Sequence, residues 1–382
     1  MPLELRPTIQ VKTMSRDKAP RRLPPKAITI NEIAREAGVS TATVSRAFNQ
    51  PNKVKKTTRE TVLAVIERHH YVSHGLAGGL ASRRSRLLGL VIPMVTNSIY
   101  GSSTQAVQQA AQQAGYTVLF GVSDFSEERE AALIHQLLSR RVEGLILTGE
   151  RRASAVYDKI VRNNCPFVIT WKLTRSRERP SVSFDNIKAA RAAVGHLLAL
   201  GHRRIGLICG RTDLNDRALQ RKIAFEQALR DAKIEPNPEL MFERAFEFVE
   251  GRAAMQRMLQ LDRPPTAVFC ANDVQAIGAL SECRDTGLSV PNDISIVGFD
   301  DMPIAQYITP KLTTVRVPAQ EMGDSAAKRL IAAIETSAPV LPLELSTDLV
   351  IRETTARCLT QKSRRRTAAF PQQGRALSRP PV

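Results

Sequence analysis

From residue 87 onward the chain repeats one pattern, a short apolar run followed by a stretch of helical periodicity. Apolar runs at 87–92, 117–122, 144–148 and 167–170 enclose predicted helices over 105–114, 127–141 and 153–164. The pattern restarts at 182–184 and continues through 205–209, 267–270 and 294–297. Its helices are predicted over 186–200, 219–231, 251–261 and 273–285. Strands alternating with helices at this spacing build parallel sheets from βαβ units. Two consecutive sets predict two similar α/β lobes. Ligands of such sheets bind beyond the carboxyl ends of the strands, here in a cleft between the lobes.

Several classes of protein are excluded early. Hydrophobic residues make up 43% of the chain, enough for real cores. No apolar stretch approaches the ~18–20 residues that cross a bilayer. The first 22 residues lack an apolar core with a small-residue cleavage site, so a cytoplasmic protein is expected. Cys165, Cys209, Cys270, Cys283 and Cys358 form no C-x-x-C pair. Buried, reduced thiols are expected, and no metal site. None of G-x-x-x-x-G-K-[ST], G-x-S-x-G or H-E-x-x-H occurs. Neither a cofactor nor an enzyme is therefore expected.

The charge is unevenly placed. Of the net +18, residues 1–27 carry +5, residues 28–86 carry +6 and residues 357–382 carry +7. Residues 87–356 hold 31 charges of each sign. A neutral body with basic ends points to a polyanion partner at the ends, most often nucleic acid. The two tails, 1–27 and 357–382, lack the apolar residues for a core and are expected to be disordered.

The sharpest local signal lies in 28–72. Thr29 and Glu32 form a capping box for a helix over 30–37, with Ile33, Ala34 and Ala37 on one face. Gly38 lets the chain leave that helix, and Ser40 caps a second one over 41–48. A third helix is predicted over 58–69. Two short helices joined by a tight glycine turn make a helix-turn-helix, whose second helix enters the major groove. Adjacent His69 and His70 diverge around a helix, so a helix end is the better reading than a metal pair.

The strings AGVSTATVSRAFN and TRETV resemble the DNA-binding domain of the LacI/GalR family of bacterial transcription regulators. The resemblance continues to about residue 356 through LLGLVIPMVTNSIY, SVSFDNIKAA, GHRRIGLICG, CANDVQAIGAL and VPNDISIVGFDD. It implies an all-α helix-turn-helix domain followed by a two-lobed, type I periplasmic-binding-protein-like domain. By that likeness a hinge occupies 73–86. The first lobe takes about 87–182 and 317–342, the second about 183–316 and 343–356.

On the recognition helix the likeness places DNA contacts at Thr41, Ala42, Thr43, Ser45, Arg46 and Asn49. Methyl groups of Thr and Ala can touch a thymine methyl, and Arg46 can bond a guanine edge or a phosphate. Lys55, Lys56, Thr57 and Arg59 suit phosphates, which fix register. Leu80 aligns with the leucine that wedges into the minor groove. Gly75, Gly78 and Gly79 around it disfavour a helix in the absence of DNA.

In the body the resemblance implies effector contacts at Asn97, Tyr100, Asp124, Trp171, Asp185, Arg221, Asn272, Asp273 and Asp300, with Ser123 nearby. An aromatic, an arginine, an amide and carboxylates suit a polyhydroxylated ligand. Lys172 and Arg211 would suit a sugar acid. Asp185 could equally be a helix N-cap. Asp273 and Asp300 could be N-caps too, but their motif match favours ligand contact. Trp171 could be core, and Arg221 could form an ion pair. Lys172 and Thr174 favour an exposed end for Trp171. The expected partners are double-stranded operator DNA, a sugar or sugar-acid effector, and a second copy of the chain. In the family dimer contacts come from helices matching 104–114 and 277–286. A transport protein fails on 28–80 and on the absent signal sequence. An enzyme fails for want of a catalytic constellation.

Overall fold

The computed structural model describes residues 28–71 and 84–358. They fall into two compact units, a helical module up to Arg84 and an α/β body from Ser85 on. The tails, most of the hinge and Leu80 lie outside the described residues.

The module has three helices, α1 (Ile30–Glu36), α2 (Thr41–Asn49) and α3 (Lys56–Arg68). The capping box forms: Thr29 receives the Glu32 amide, and Glu32 receives the Thr29 amide at 2.7 Å. Gly38 takes φ +66, which only a residue without a β-carbon adopts cheaply. Ile33, Val44, Val62 and Val65 close a small core. Each of the three helices gives up one apolar stripe to it.

The body holds two six-stranded sheets. The first contains β1 (Leu87–Ile92), β2 (Thr117–Val122), β3 (Gly144–Thr148), β4 (Phe167–Thr170), β5 (Ser181–Ser183) and β11 (Leu343–Glu344), in the order β11-β5-β4-β3-β1-β2. The second contains β6 (Ile205–Cys209), β7 (Met241–Glu243), β8 (Ala267–Cys270), β9 (Ser295–Asp300), β10 (Thr313–Arg316) and β12 (Asp348–Val350), in the order β12-β10-β9-β8-β6-β7. All pairings are parallel except β10 with β12. Strand order reverses at β1/β3 and again at β6/β8, so each lobe opens a crevice at its switch point.

The helices are α4 (Ser98–Gln113), α5 (Glu127–Ser139), α6 (Ser154–Arg162), α7 (Asn186–Ala199), α8 (Asp216–Asp231), α9 (Phe248–Leu259), α10 (Asp273–Asp285) and α11 (Ala319–Thr336). The chain leaves the first lobe after β5 and returns to it for α11, which packs on α4. Leu343 and Glu344 still pair with Val182 and Ser183, so the last crossing comes a few residues after the expected 342/343 boundary. The reason is that β11 completes the edge of the first sheet. Strands β7, β10, β11 and β12 and helix α11 were not marked by the apolar rhythm. They are short, edge-placed or exposed at one end.

Where the lobes meet, aromatic rings form a continuous chain. Tyr100 packs on Trp171 at 4.8 Å, Trp171 meets Phe184 at 6.4 Å, and Phe184 meets Phe299 at 6.2 Å. This stack spans the crossover. The core is therefore shared between lobes at the hinge and separate at their far ends.

Candidate functional site

The recognition surface is built by α2. Val44 and Ala47 enter the core, which turns Thr41, Ala42 and Arg46 to solvent, with Thr43 and Ser45 half-buried. Ser40 caps the helix, receiving the Thr43 amide at 3.1 Å. The backbone of Asn49 ends α2. Lys55, Lys56, Thr57 and Arg59 are exposed at the start of α3. Arg68 and His69 pair with Glu36, at 2.8 and 2.6 Å. No ion pair among the described residues engages Arg46, Lys55, Lys56 or Arg59. His69 thus ends α3 as a cap with an acidic partner. Among the described residues no cluster of His, Cys, Asp and Glu could hold a metal.

The body carries a narrow cleft between its lobes. Asn97, Ile99, Tyr100 and Trp171 line it from the first lobe. Asn215, Arg217, Ala218, Arg221, Phe246, Ala271 and Asp300 line it from the second. Asn97 also caps α4, receiving the Ile99 amide at 3.1 Å. Two of these residues adopt left-handed backbone without being glycine, Trp171 at φ +69 and Asp300 at φ +120. Such conformations cost energy and gather at functional sites.

Arg221 is the centre of the second-lobe wall. Its Nε donates to Asn186 Oδ1 at 2.9 Å and its Nη1 to the Ala271 carbonyl at 2.6 Å. Its guanidinium lies 3.7 Å over the Phe299 ring and 3.6 Å from Asp300. Burial pushes the Asp300 carboxyl up to about 7, and Arg221 partly opposes that rise. Burial also pulls Arg221 below its ordinary value, with Asp300 opposing.

The remaining expected contacts divide between cleft wall and supporting loops. Trp171 is 2% exposed, so it is a buried wall of the cleft rather than an exposed strand end. Its ring is held by Tyr100 and Phe184, and the polarity of its neighbours in sequence did not reveal this. Asp124 is turned out to an ion pair with Arg129 and does not line the cleft. Asp185 caps α7, receiving the amides of Ile187 and Lys188 at 2.8 and 3.0 Å. Asn272 caps α10 and bonds Gln275 twice. Both oxygens of Asp273 are used internally, by the Thr314 hydroxyl at 2.6 Å and the Met302 amide at 2.7 Å. Burial, with the charge of Asp300, raises its carboxyl well above the usual range. Asp185, Asn272 and Asp273 therefore shape the loops around the cleft without lining it. Ser123 lines a neighbouring pocket between the lobes. Lys172 is paired with Glu150 at 3.1 Å, and Arg211 with Asp213 at 2.7 Å.

Sequence reasoning missed Asn215, Asp216, Arg217 and Phe246. One signal was available. Arg217 precedes Arg221 by four residues on one helix, so both face the cleft. Arg217 is 6% exposed, bonds Asp216 at 2.8 Å and faces the Tyr100 hydroxyl across the cleft.

Residues 29–74 match the model for bacterial regulatory proteins, lacI family. Residues 194–355 match the periplasmic binding protein-like domain. The chain is 34% identical over 305 residues to the HTH-type transcriptional repressor CytR of Escherichia coli K12, covering 80% of this chain and 89% of that protein. The chain belongs to the lacI family of bacterial regulatory proteins. As a lacI-family protein it is a DNA-binding transcription regulator and not an enzyme. Its fold is similar to the lac repressor dimer bound to operator and the anti-inducer ONPF (TM-score 0.75, 29% identity, covering 87% of this chain and all of that one). It is also similar to the complex of the regulator CelR with cellobiose (TM-score 0.64, 28% identity, covering 86% and 99%). Both lobes of this lacI-family chain thus have solved counterparts. Among the described residues no helix is long and apolar enough to cross a membrane.

Proposed function

We propose that this protein is a cytoplasmic repressor that binds a two-fold symmetric operator as a homodimer. A small, uncharged, polyhydroxylated effector held between the lobes switches it. The observation that carries the effector reading is the cleft wall itself. It sets the aromatic Tyr100 and Trp171 against Asn97, Asn215, Arg221 and Asp300. Apolar ring faces with a few placed donors and acceptors suit a sugar-like ring. Cations at and around the cleft already have partners: Arg217 with Asp216, Arg221 with Asp300, Lys172 with Glu150 and Arg211 with Asp213. That balance favours a neutral sugar over a sugar acid. The solved CelR complex holds a neutral disaccharide.

The dimer reading is supported by the second lobe. Ile304 and Tyr307 are 44% and 79% exposed. Beside α10 an apolar groove is lined by Ile277, Leu280, Leu288, Val290, Ile308 and Pro310. Exposed apolar side chains beside an apolar groove offer a surface that a second copy could cover. The other expected dimer helix contributes differently. The apolar face of α4, with Ala106, Val107, Ala110 and Ala111, is buried within its own lobe, leaving Ser102, Gln105 and Gln109 outward. A dimer would present two copies of α2 to two half-sites.

The test is thermal shift against neutral sugars, sugar acids, sugar phosphates and nucleosides, with wild type and Arg221→Ala side by side. A neutral sugar or nucleoside that stabilises wild type alone supports the reading. A sugar acid or sugar phosphate that stabilises both equally overturns it. Operator selection from random duplexes, followed by sedimentation, tests symmetry and dimerisation.

A further inference from the structure

We propose that Asp216 and Arg217 form a clasp that fastens the two lobes together and sets how far the cleft opens. The carboxylate belongs to the second lobe, at the first turn of α8. Its Oδ2 receives two amides from the first lobe, Glu150 at 2.7 Å and Arg151 at 3.1 Å. Its Oδ1 receives Arg217 Nη1 at 2.8 Å. Both side chains are largely buried, at 13% and 7% exposure. A carboxylate taking two amides and a guanidinium makes charge-assisted bonds, roughly twice as strong as neutral ones. Burial works against this charge, yet Arg217 and the two amides hold Asp216 below the ordinary carboxylate range.

The first lobe is shaped to receive the pair. Gly149 ends the first-lobe strand β3 with φ +74. A β-carbon there would lie 2.1 Å from Arg217 Nη1 and 2.9 Å from Asp216 Oδ1. A side chain there would push the Arg217 and Asp216 ends out of their seat, at a backbone angle that already favours glycine. Other contacts across the cleft are less directional, such as the stacking of Phe125 on Phe246 at 5.5 Å. Arg221 lies one turn beyond Arg217 on the same helix. Releasing the clasp and widening the gap between Arg221 and the first-lobe side of the cleft are therefore one movement of α8. An effector can switch the protein only by binding the clasped and released states unequally. The clasp regulates the site named above, but its opening needs neither ligand nor DNA to be observed.

Trp171 is the only tryptophan of the chain and lines this cleft. Its quenching by acrylamide, measured on the full-length protein without ligand, reads the opening directly. Small-angle scattering reads the accompanying change in radius. Asp216→Ala releases the clasp from the second lobe, and Gly149→Ala from the first. Each is expected to raise the Trp171 quenching constant about twofold or more, as a local opening that leaves the cores intact. Far-UV circular dichroism should stay that of wild type. Asp216→Asn keeps an acceptor oxygen without the charge, and should fall between. Wild-type quenching and scattering in folded Asp216→Asn and Gly149→Ala would overturn the clasp. The outcome is independent of the ligand panel, since a cleft that binds no tested sugar still reports its opening through Trp171.

Discussion

Arg221 donates to Asn186 Oδ1 at 2.9 Å, and Asn186 donates onward from Nδ2 to the Trp171 carbonyl at 2.9 Å. One asparagine thus ties the second-lobe arginine to the first-lobe aromatic wall at the crossover. Lysine at 221 would be a point charge, unable to fork to Asn186 and Ala271 while lying over Phe299. Arg221→Lys should lower stability by about 2–3 kcal/mol, as expected for lost bonds to a charged group. Urea unfolding measures this. The same variant should lose the thermal shift given by any effector.

Asp300 gives the body a pH dependence. In the folded chain its carboxyl holds a proton up to about pH 7. In the unfolded chain a carboxyl releases it near pH 4. Between those values the folded state binds more protons, so stability from this group is full below about pH 4 and lost as pH rises toward 7. Asp273 is shifted the same way. Asp300→Asn, neutral at every pH, should show a shallower fall of Tm across that window. Equal slopes for the variant and wild type would remove Asp300 as the cause.

On DNA, Arg46 and Lys55 should separate. Arg46 stands exposed on α2, Lys55 at the cap of α3. Arg46→Ala should cost about 1–3 kcal/mol on the selected operator and relax preference at one base position. Lys55→Ala should weaken selected and mixed-sequence DNA alike, and reduce the slope of log K against log salt by about 1. Fluorescence anisotropy over a salt series distinguishes them. Identical behaviour of the two variants would make Arg46 a phosphate contact.

Helices α9 and α10 approach through paired glycines. A β-carbon on Gly278 would lie 2.0 Å from the Phe248 carbonyl, and one on Gly251 2.2 Å from that of Gln275. Backbone cannot yield as a side chain can. Gly278→Ala should therefore destabilise the body by about 1–3 kcal/mol, read as a lower urea midpoint. Gly195→Ala, on an open face, is the matched control and should leave the midpoint unchanged or raised.

Local rules made much of this protein legible in its sequence. The capping box of Thr29 and Glu32, the cap at Ser40 and the strands 87–92, 117–122, 144–148 and 205–209 depend on neighbouring residues and on periodicity. Those signals survive folding unchanged. The recognition face of α2 follows from them, because Val44 must be buried and Arg46 cannot share its side. The family resemblance also implied Arg221, Asp300, Tyr100 and Asn97 as contacts, and all four line the cleft. Tertiary structure alone decided which carboxylates face it. Asp273 and Asp300 match the family pattern equally well, but Thr314 and Met302, distant in sequence, occupy both oxygens of Asp273. Whether a polar group is free for a ligand depends on which remote groups reach it first. For the same reason the helical spacing of Arg217 and Arg221 could mark a shared face, but could not show that Asp216 beside them receives the amides of Glu150 and Arg151 from the other lobe.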